Sequence, residues 1–484
     1  MHPTTRPNQI ILRPTDVLFF RDGRPMSGAS VGHTAAWPLP DVINHALHAA
    51  LHRAGLENTH AHRLGRSGEY PDPDQRVRKF GSLSTAGPFP VRVSPSGKGT
   101  DSVHTWYFAR PRDANSAGNV NVTLRPLAAL VHDSPTPWDQ SSLPAPLKYA
   151  VVNTLPPKKE DDLEPWISTK AYQAYLSGSP SPPVSNNFCT DKNIADTEYA
   201  IGIAIDPATS TTGRDETKGK IYAAHYLRLR DDFRLGLFAE APDKVNGDPA
   251  NKRDLIKLLF NDKPRSIIVG GQQRVCTAVR TDAPIPLPLP IGLTGGFSSV
   301  HLNGRERWLV KWILLTPAIW PEIPPGTSKR GTERKPHPGG WLPNWVCPES
   351  GRVMLETIDP EKRRQRRSLN YNGKGYPSNP NIDASLVAAI VPKPIIVTGW
   401  ALPNENDRTT GGAKSTHMAV PAGAVYYFEA DSSQAAEALA AALNWHGNGP
   451  GDKIKNRRST LLGEKGYGLG VCGTWNFHEL GRPK

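Results

Sequence analysis

The run Gly463–Gly473 (GEKGYGLGVCG) puts five glycines into eleven residues and interleaves them with Lys465, Tyr467 and the apolar Leu469 and Val471. Glycine reaches positive φ without a Cβ clash and lets another backbone come close. Such a run is either a strained turn or a cradle for something pressed against the main chain. It contains a literal G-x-G-x-x-G, Gly468 to Gly473. A dinucleotide-binding unit needs a helix and another strand after that motif, and the eleven residues that follow leave no room for them.

At 484 residues the chain exceeds one ordinary core, so two domains with insertions are expected, residues 1–300 and 301–484. Proline (48) and glycine (43) are abundant and favour strands, turns and irregular loops over helix bundles. No eighteen-residue apolar stretch occurs, and Met1–Gln9 lacks the apolar segment of a secretory signal, so a cytoplasmic protein is expected. The four cysteines, Cys189, Cys276, Cys347 and Cys472, form no C-x-x-C, which suits a reducing compartment and predicts no zinc knuckle. Lys+Arg exceed Asp+Glu by 58 − 45 = 13. A charge this positive makes a polyanion the first partner to expect.

Hydrophobic patterning predicts a strand over Asn8–Arg13, then a helix to Arg53 capped by Asp41 and closed by Gly55. His45, His48 and His52 lie on its polar side, without the Glu of H-E-x-x-H, and read as a solvated face. Strands are expected at 88–93, 104–109 and 121–127, and residues 134–185 read as irregular. Tyr199–Ile205 and Ile221–Arg230 form a predicted hairpin, with Phe233–Ala239 continuing its sheet. A helix over 251–260 and a strand over 266–269 complete strand, helix, strands, helix, strand. A distorted version repeats from Trp308 to Phe477, with the glycine-rich run between its last helix and last strand. The expected fold is α+β, two ferredoxin-like βαββαβ domains with long loop insertions.

Candidate chemistries are few. Gly28–Gly32 matches G-x-S-x-G, but a charged turn precedes it and prolines follow, against a nucleophile elbow. No phosphate-binding G-x-x-x-x-G-K-[ST] occurs, and no metal-ligand pair stands at a strand end. Metal-independent RNA cleavage would need a His or Tyr beside a basic groove. His33, His225, His417 and Tyr467 are candidates by position, each with a packing role as the alternative. Binding fits better. Clustered Lys/Arg neutralise phosphates, and aromatics stack on unpaired bases. Lys414 after Gly411-Gly412, and Lys465-Gly466-Tyr467-Gly468, have that combination.

Asp16–Pro25 (DVLFFRDGRP) resembles the opening motif of the RAMP-superfamily subunit that holds the 5′ end of the guide RNA in type III-B (Cmr) CRISPR effector complexes. Further matches follow in the family's order: Gly270–Arg274 (GGQQR), Leu314–Ala318 with Gly340–Pro343, Lys393–Trp400, Ala419–Phe428, and the closing glycine-rich loop. The likeness spans nearly the whole chain. It implies two ferredoxin-like domains and a non-catalytic subunit without cofactor or metal. The family holds the repeat-derived 5′ tag of the guide RNA, and it docks on the large polymerase/cyclase-like subunit and on a neighbouring backbone RAMP subunit. Arg21, Arg24, Arg274, Lys414, Lys465, Gly466, Tyr467, Gly468 and Gly470 are the expected RNA contacts. A metal-independent RAMP endoribonuclease that processes precursor RNA is the alternative. The basic and Pro-rich insertions 58–79, 134–185 and 321–340 have no counterpart that carries a role.

Overall fold

The computed structural model describes residues 6–20, 31–32, 37–56, 62–63, 79–80, 82–95, 102–114, 122–126, 144–153, 164–177, 187–203, 205, 210–211, 221–244, 252–290, 296–302, 304–327, 333–334, 336–355, 382–401 and 412–476. The first sheet is centred on Asn8–Pro14 (β1), whose Ile10 and Leu12 face one core and Ile11 another. Alternation along a strand sends successive side chains to opposite faces, so β1 is apolar on both. The helix Pro40–Arg53 (α1) has Leu39 as its N-cap, and Pro40 opens the first turn, where a missing N–H costs nothing. Asp41, expected to be the cap, lies inside that turn, and its carboxylate is used by another part of the chain.

Ser84–Pro95 (β2), Ser102–Ala109 (β3), the helix Thr169–Leu176 (α2), Ala195–Ile203 (β4), Ile221–Leu229 (β5), Phe233–Glu240 (β6), the helix Leu255–Phe260 (α3), Arg265–Ile268 (β7) and Val275–Thr281 (β8) follow. The sheet runs β3-β2-β6-β1-β8-β7, and short pieces at Trp166–Ser168 and Phe188–Cys189 extend it beyond β3. All neighbouring pairs are antiparallel. Numbered in chain order as first to fourth, β1, β2, β6 and β8 lie in the order 4-1-3-2. Helices α1 and α3 cover one face, where Ile43, Leu47, Leu51, Leu255 and Phe260 pack on Leu235 and Leu237.

Two expectations change here. The hairpin β4–β5 does not continue into the sheet of β6. It forms a separate three-stranded sheet with Val31–Gly32, because β6 is already flanked by β1 and β2. Residues 134–185 are not irregular throughout: their described part contains the strand Tyr149–Asn153 and α2. Ser168 caps α2 by accepting from the Ala171 amide, and the helix buries Ala171, Tyr172, Tyr175 and Leu176.

The second sheet consists of Ser299–Leu302 (β9), Arg305–Leu314 (β10), Ala384–Ile390 (β11), Val425–Ala430 (β12) and Gly470–Thr474 (β13), with the helix Ser433–Leu443 (α4) after β12. β12 lies between β10 and β11, and β13 and β9 share the other side of β10. The order of β10, β11, β12 and β13 is again 4-1-3-2. Among the described residues no helix stands between β10 and β11.

The two sheets meet across one apolar seam. Ile11, Phe89, Trp106 and Phe238 of the first sheet share a core with Leu309, Ile313, Tyr427 and Val471 of the second. On β10, Val310, Trp312 and Leu314 turn the other way, onto α4. Lys311 falls on the seam face and is 3% exposed. Its Nζ lies 3.1 Å from Asp113 Oδ2 and 2.6 Å from the Tyr175 hydroxyl, both in the first half. Tyr427 also donates to Asp113, at 3.1 Å. A charge here is tolerable only because it is paired and hydrogen-bonded. Lys311→Met leaves Asp113 buried without its cation, so denaturant unfolding is expected to show a loss of about 3–5 kcal/mol. A loss under about 1 kcal/mol would show that this network does not hold the halves together.

Candidate nucleic-acid interface

The glycine-rich run crosses the seam from the second half to the first. After α4 the chain passes through 444–462 into a single 3-10 turn, Gly463–Lys465, and then into β13. Gly466 (φ +100) backs onto the Thr85 carbonyl of β2, and Gly468 (φ +78) onto the Ser459 backbone nitrogen. A Cβ at either would meet main chain in a conformation that side chains avoid. Gly470 lies against the Trp312 indole. The amides here are already used. Gly468 N donates to the Pro317 carbonyl at 2.7 Å, and Leu469 N to Thr316 Oγ1 at 2.9 Å. On the side where a Cβ would stand, the close approach that these glycines permit is that of the protein's own main chain and of the Trp312 ring.

The side chains correct the expectation. Tyr467 is fully buried against Ile319, Val397 and Ala419, so it offers no face for a base to stack on. Its hydroxyl donates to Asp41 Oδ1 at 2.8 Å, and burial beside that carboxylate pushes the phenol well above its ordinary pKa. Lys465 is 4% exposed, with Nζ 2.8 Å from His45 Nε2. Asp41 and His45 are one turn apart on α1, so one helical stripe grips two loop residues. Crowding by protein, together with the charges of Lys465 and Lys414, pushes the His45 pKa down to about 3. Part of His45 still faces water, which screens some of that effect. A neutral imidazole accepts from the buried ammonium. Lys414, half-buried, is tied by its amide to the Gly399 carbonyl at 2.9 Å.

Arg274 belongs to a different part of the surface. Its guanidinium lies 4.9 Å over the Tyr226 ring and 3.5 Å from Asp16. Gly271 N donates to the Phe19 carbonyl at 2.8 Å, docking the Gly270–Arg274 loop on the opening motif itself. Arg21, Arg24 and His33 lie outside the described residues. His225 packs edge-on against Tyr199 in the β4–β5 hairpin, while His417 pairs with Val397 in a short ribbon of the second half. Of the described candidates for acid–base cleavage, His225 thus lies in a different sheet from His417, while Tyr467 packs beside the His417 ribbon with its hydroxyl given to Asp41. Among the described residues no group of three or more His, Cys, Asp or Glu is placed to hold a metal ion, and no helix is long and apolar enough to cross a membrane.

Sequence reasoning missed Asp41 and His45. Their spacing on the polar side of an otherwise apolar helix was the available signal, but their partners lie more than 400 residues away.

The model of the CRISPR-associated protein family Cas_Cmr3 matches residues 10–475. The chain belongs to the Cas_Cmr3 family. This makes it a type III CRISPR effector subunit. The Cas_Cmr3 chain is similar to a chain in the cryo-EM structure of the Type III-B Cmr-beta bound to cognate target RNA, with 11% identity, 87% of this chain and 86% of that chain covered, and a TM-score of 0.35. A chain of the Csm1-Csm4 cassette crystallised with AMPPNP is also similar, with 12% identity, 68% and 85% coverage, and a TM-score of 0.23. No curated protein matches.

Gly468→Ala is expected to lower stability by about 1–3 kcal/mol, measured by denaturant unfolding. Gly463→Ala, with no atom nearer than 3.7 Å to the added carbon, is the control and stays near wild type. A Gly468→Ala protein as stable as that control would remove the close-packing account.

The His45 contact carries a pH signature. Its folded pKa lies below its unfolded value of about 6.5, so the unfolded chain takes up the proton first. The contact's stability is present above that value and is lost as pH falls toward the folded one. Wild type is expected to lose about 1 kcal/mol more than His45→Gln between pH 7 and pH 5. Equal slopes would show that His45 takes up its proton over the same pH range folded and unfolded, so that its contact does not hold it neutral.

Proposed function

We propose that the protein is a non-catalytic guide-RNA-binding subunit, built as two ferredoxin-like units. It holds the 5′ repeat-derived tag and bridges the large polymerase/cyclase-like subunit to the adjacent backbone RAMP subunit. Target RNA is met only indirectly. The 4-1-3-2 order in both sheets supports the paired-unit reading. The observation that carries the RNA reading is electrostatic. The ammonium groups of Lys465 and Lys414 both bear on a neutral His45, and the neighbouring carboxylate, Asp41, accepts from Tyr467. The seam is therefore locally cationic on a chain of net charge +13. Positive charge at a low-dielectric seam focuses the field that attracts a phosphate chain. Lys414 is the group for direct phosphate contact. Lys465 adds its charge from beneath the surface, and Arg274 adds a second basic point already braced by Tyr226.

The test is binding of the full-length chain to tagged guide RNA and to an equally long RNA with a scrambled tag, each over a salt series. Tighter binding to the tagged RNA is expected. Lys414→Ala should weaken both and reduce the salt slope by about one. Equal affinity for the two RNAs would overturn the tag-holding role, and cleavage of precursor RNA by the purified chain would overturn the non-catalytic one.

A further inference from the structure

The stripe of α1 that grips the glycine-rich loop continues beyond it. Asp41, His45, His48 and His52 stand at i, i+4, i+7 and i+11, positions that share one side of a helix. The first two hold Tyr467 and Lys465. The last two turn to each other: their Nε2 atoms are 3.1 Å apart, and the rings stack with centroids 4.9 Å apart and planes at 27°. Both side chains are half-buried, so solvent reaches the pair.

We propose that His48 and His52 form a bidentate site for a borderline divalent transition-metal ion of the zinc class. Imidazole nitrogens bind such ions at about 2.0–2.1 Å. Two bonds of that length across the observed separation subtend roughly 95–100° at the ion. This lies between the right angle of octahedral or square geometry and the tetrahedral angle, so the ion enters without moving the helix. The present contact needs one ring to carry its proton on Nε2. Chelation needs both rings to carry it on Nδ1, so one ring changes tautomer and the neutral pair releases no net proton. Nitrogen donors select against magnesium and calcium, which take oxygen ligands. No third protein ligand is assigned, so water or an external oxygen donor completes the coordination and the ion exchanges readily. The site does not depend on the RNA reading.

The experiment is calorimetric titration of the untagged full-length chain with zinc chloride, with melting curves recorded in parallel. Saturable binding is expected, with a higher midpoint at saturation because the ion binds only the folded helix pair. His48→Gln and His52→Gln should each weaken the tightest site at least tenfold, while His301→Gln, at an exposed position on β9, leaves it unchanged. Unchanged affinity in both helix variants, or no binding by wild type up to millimolar zinc, overturns the proposal. If either variant fails to fold, copper(II) electron paramagnetic resonance on the wild type decides. Hyperfine structure from two nitrogens supports the site, and its absence overturns it.

Discussion

The ion pair of Lys311 and Asp113 decides how the two halves of this molecule meet. A lysine in β10 points into the shared core, where water cannot solvate it. It is tolerated because the first half supplies a carboxylate and a tyrosine hydroxyl at that depth, and the second adds Tyr427 to the same carboxylate. Apolar packing fills the seam but is non-directional. A buried pair with directional hydrogen bonds resists displacement, which leaves charges unpaired. The seam is therefore registered at one point and filled by hydrophobic contact around it.

The glycine-rich loop is the second fastening, at the seam's other side. It shows how one sequence signal can serve two ends. The glycines give room for backbone packed on backbone, at Thr85 and Ser459, and that packing carries Lys465 to His45. The loop's charge then acts through a held ammonium and not through a mobile side chain. For the RNA-binding role proposed above, a charge held in this way would be preorganised, which lowers the ordering entropy paid on association.

Much of this was legible in the sequence, and the failures have physical reasons. Apolar patterning located β1, α1, β6, β7, β10, β12 and α4 to within a few residues, because each buries a face through its own period, whereas β8, Val275–Thr281, was not foreseen. The second half repeats the strand order of the first, but among the described residues no helix stands between β10 and β11, so the expected strand-and-helix order is matched only in its strands. Asp41 was misread as a cap because a side chain that can satisfy a local amide can also satisfy a distant hydroxyl, and Pro40 had already removed one amide from that turn. Residues 134–185 hid α2 among prolines and serines, because its apolar face is completed mainly by segments distant in sequence, β3 and the seam residues of the second half. Tyr467 could have been a stacking face or a core residue, and only the partner 426 positions away decides. The lysine in Trp308–Leu315 was a readable signal left unread: an isolated charge in a buried strand calls for a partner.

The contacts from α1 to the glycine-rich loop also bear on how the molecule is made. They join residues 420 and 426 positions apart. Chains are synthesised at about 5–20 residues per second, so α1 waits roughly 20–80 s for the segment that covers its polar stripe. During that interval the first sheet already has its helices, but its seam face, with Phe89, Trp106 and Phe238, is bare. The nascent chain thus passes through a stage with a large sticky surface. Its escape from aggregation depends on the ribosome, on chaperones, or on an early-arriving partner occupying that face before the last strand closes it.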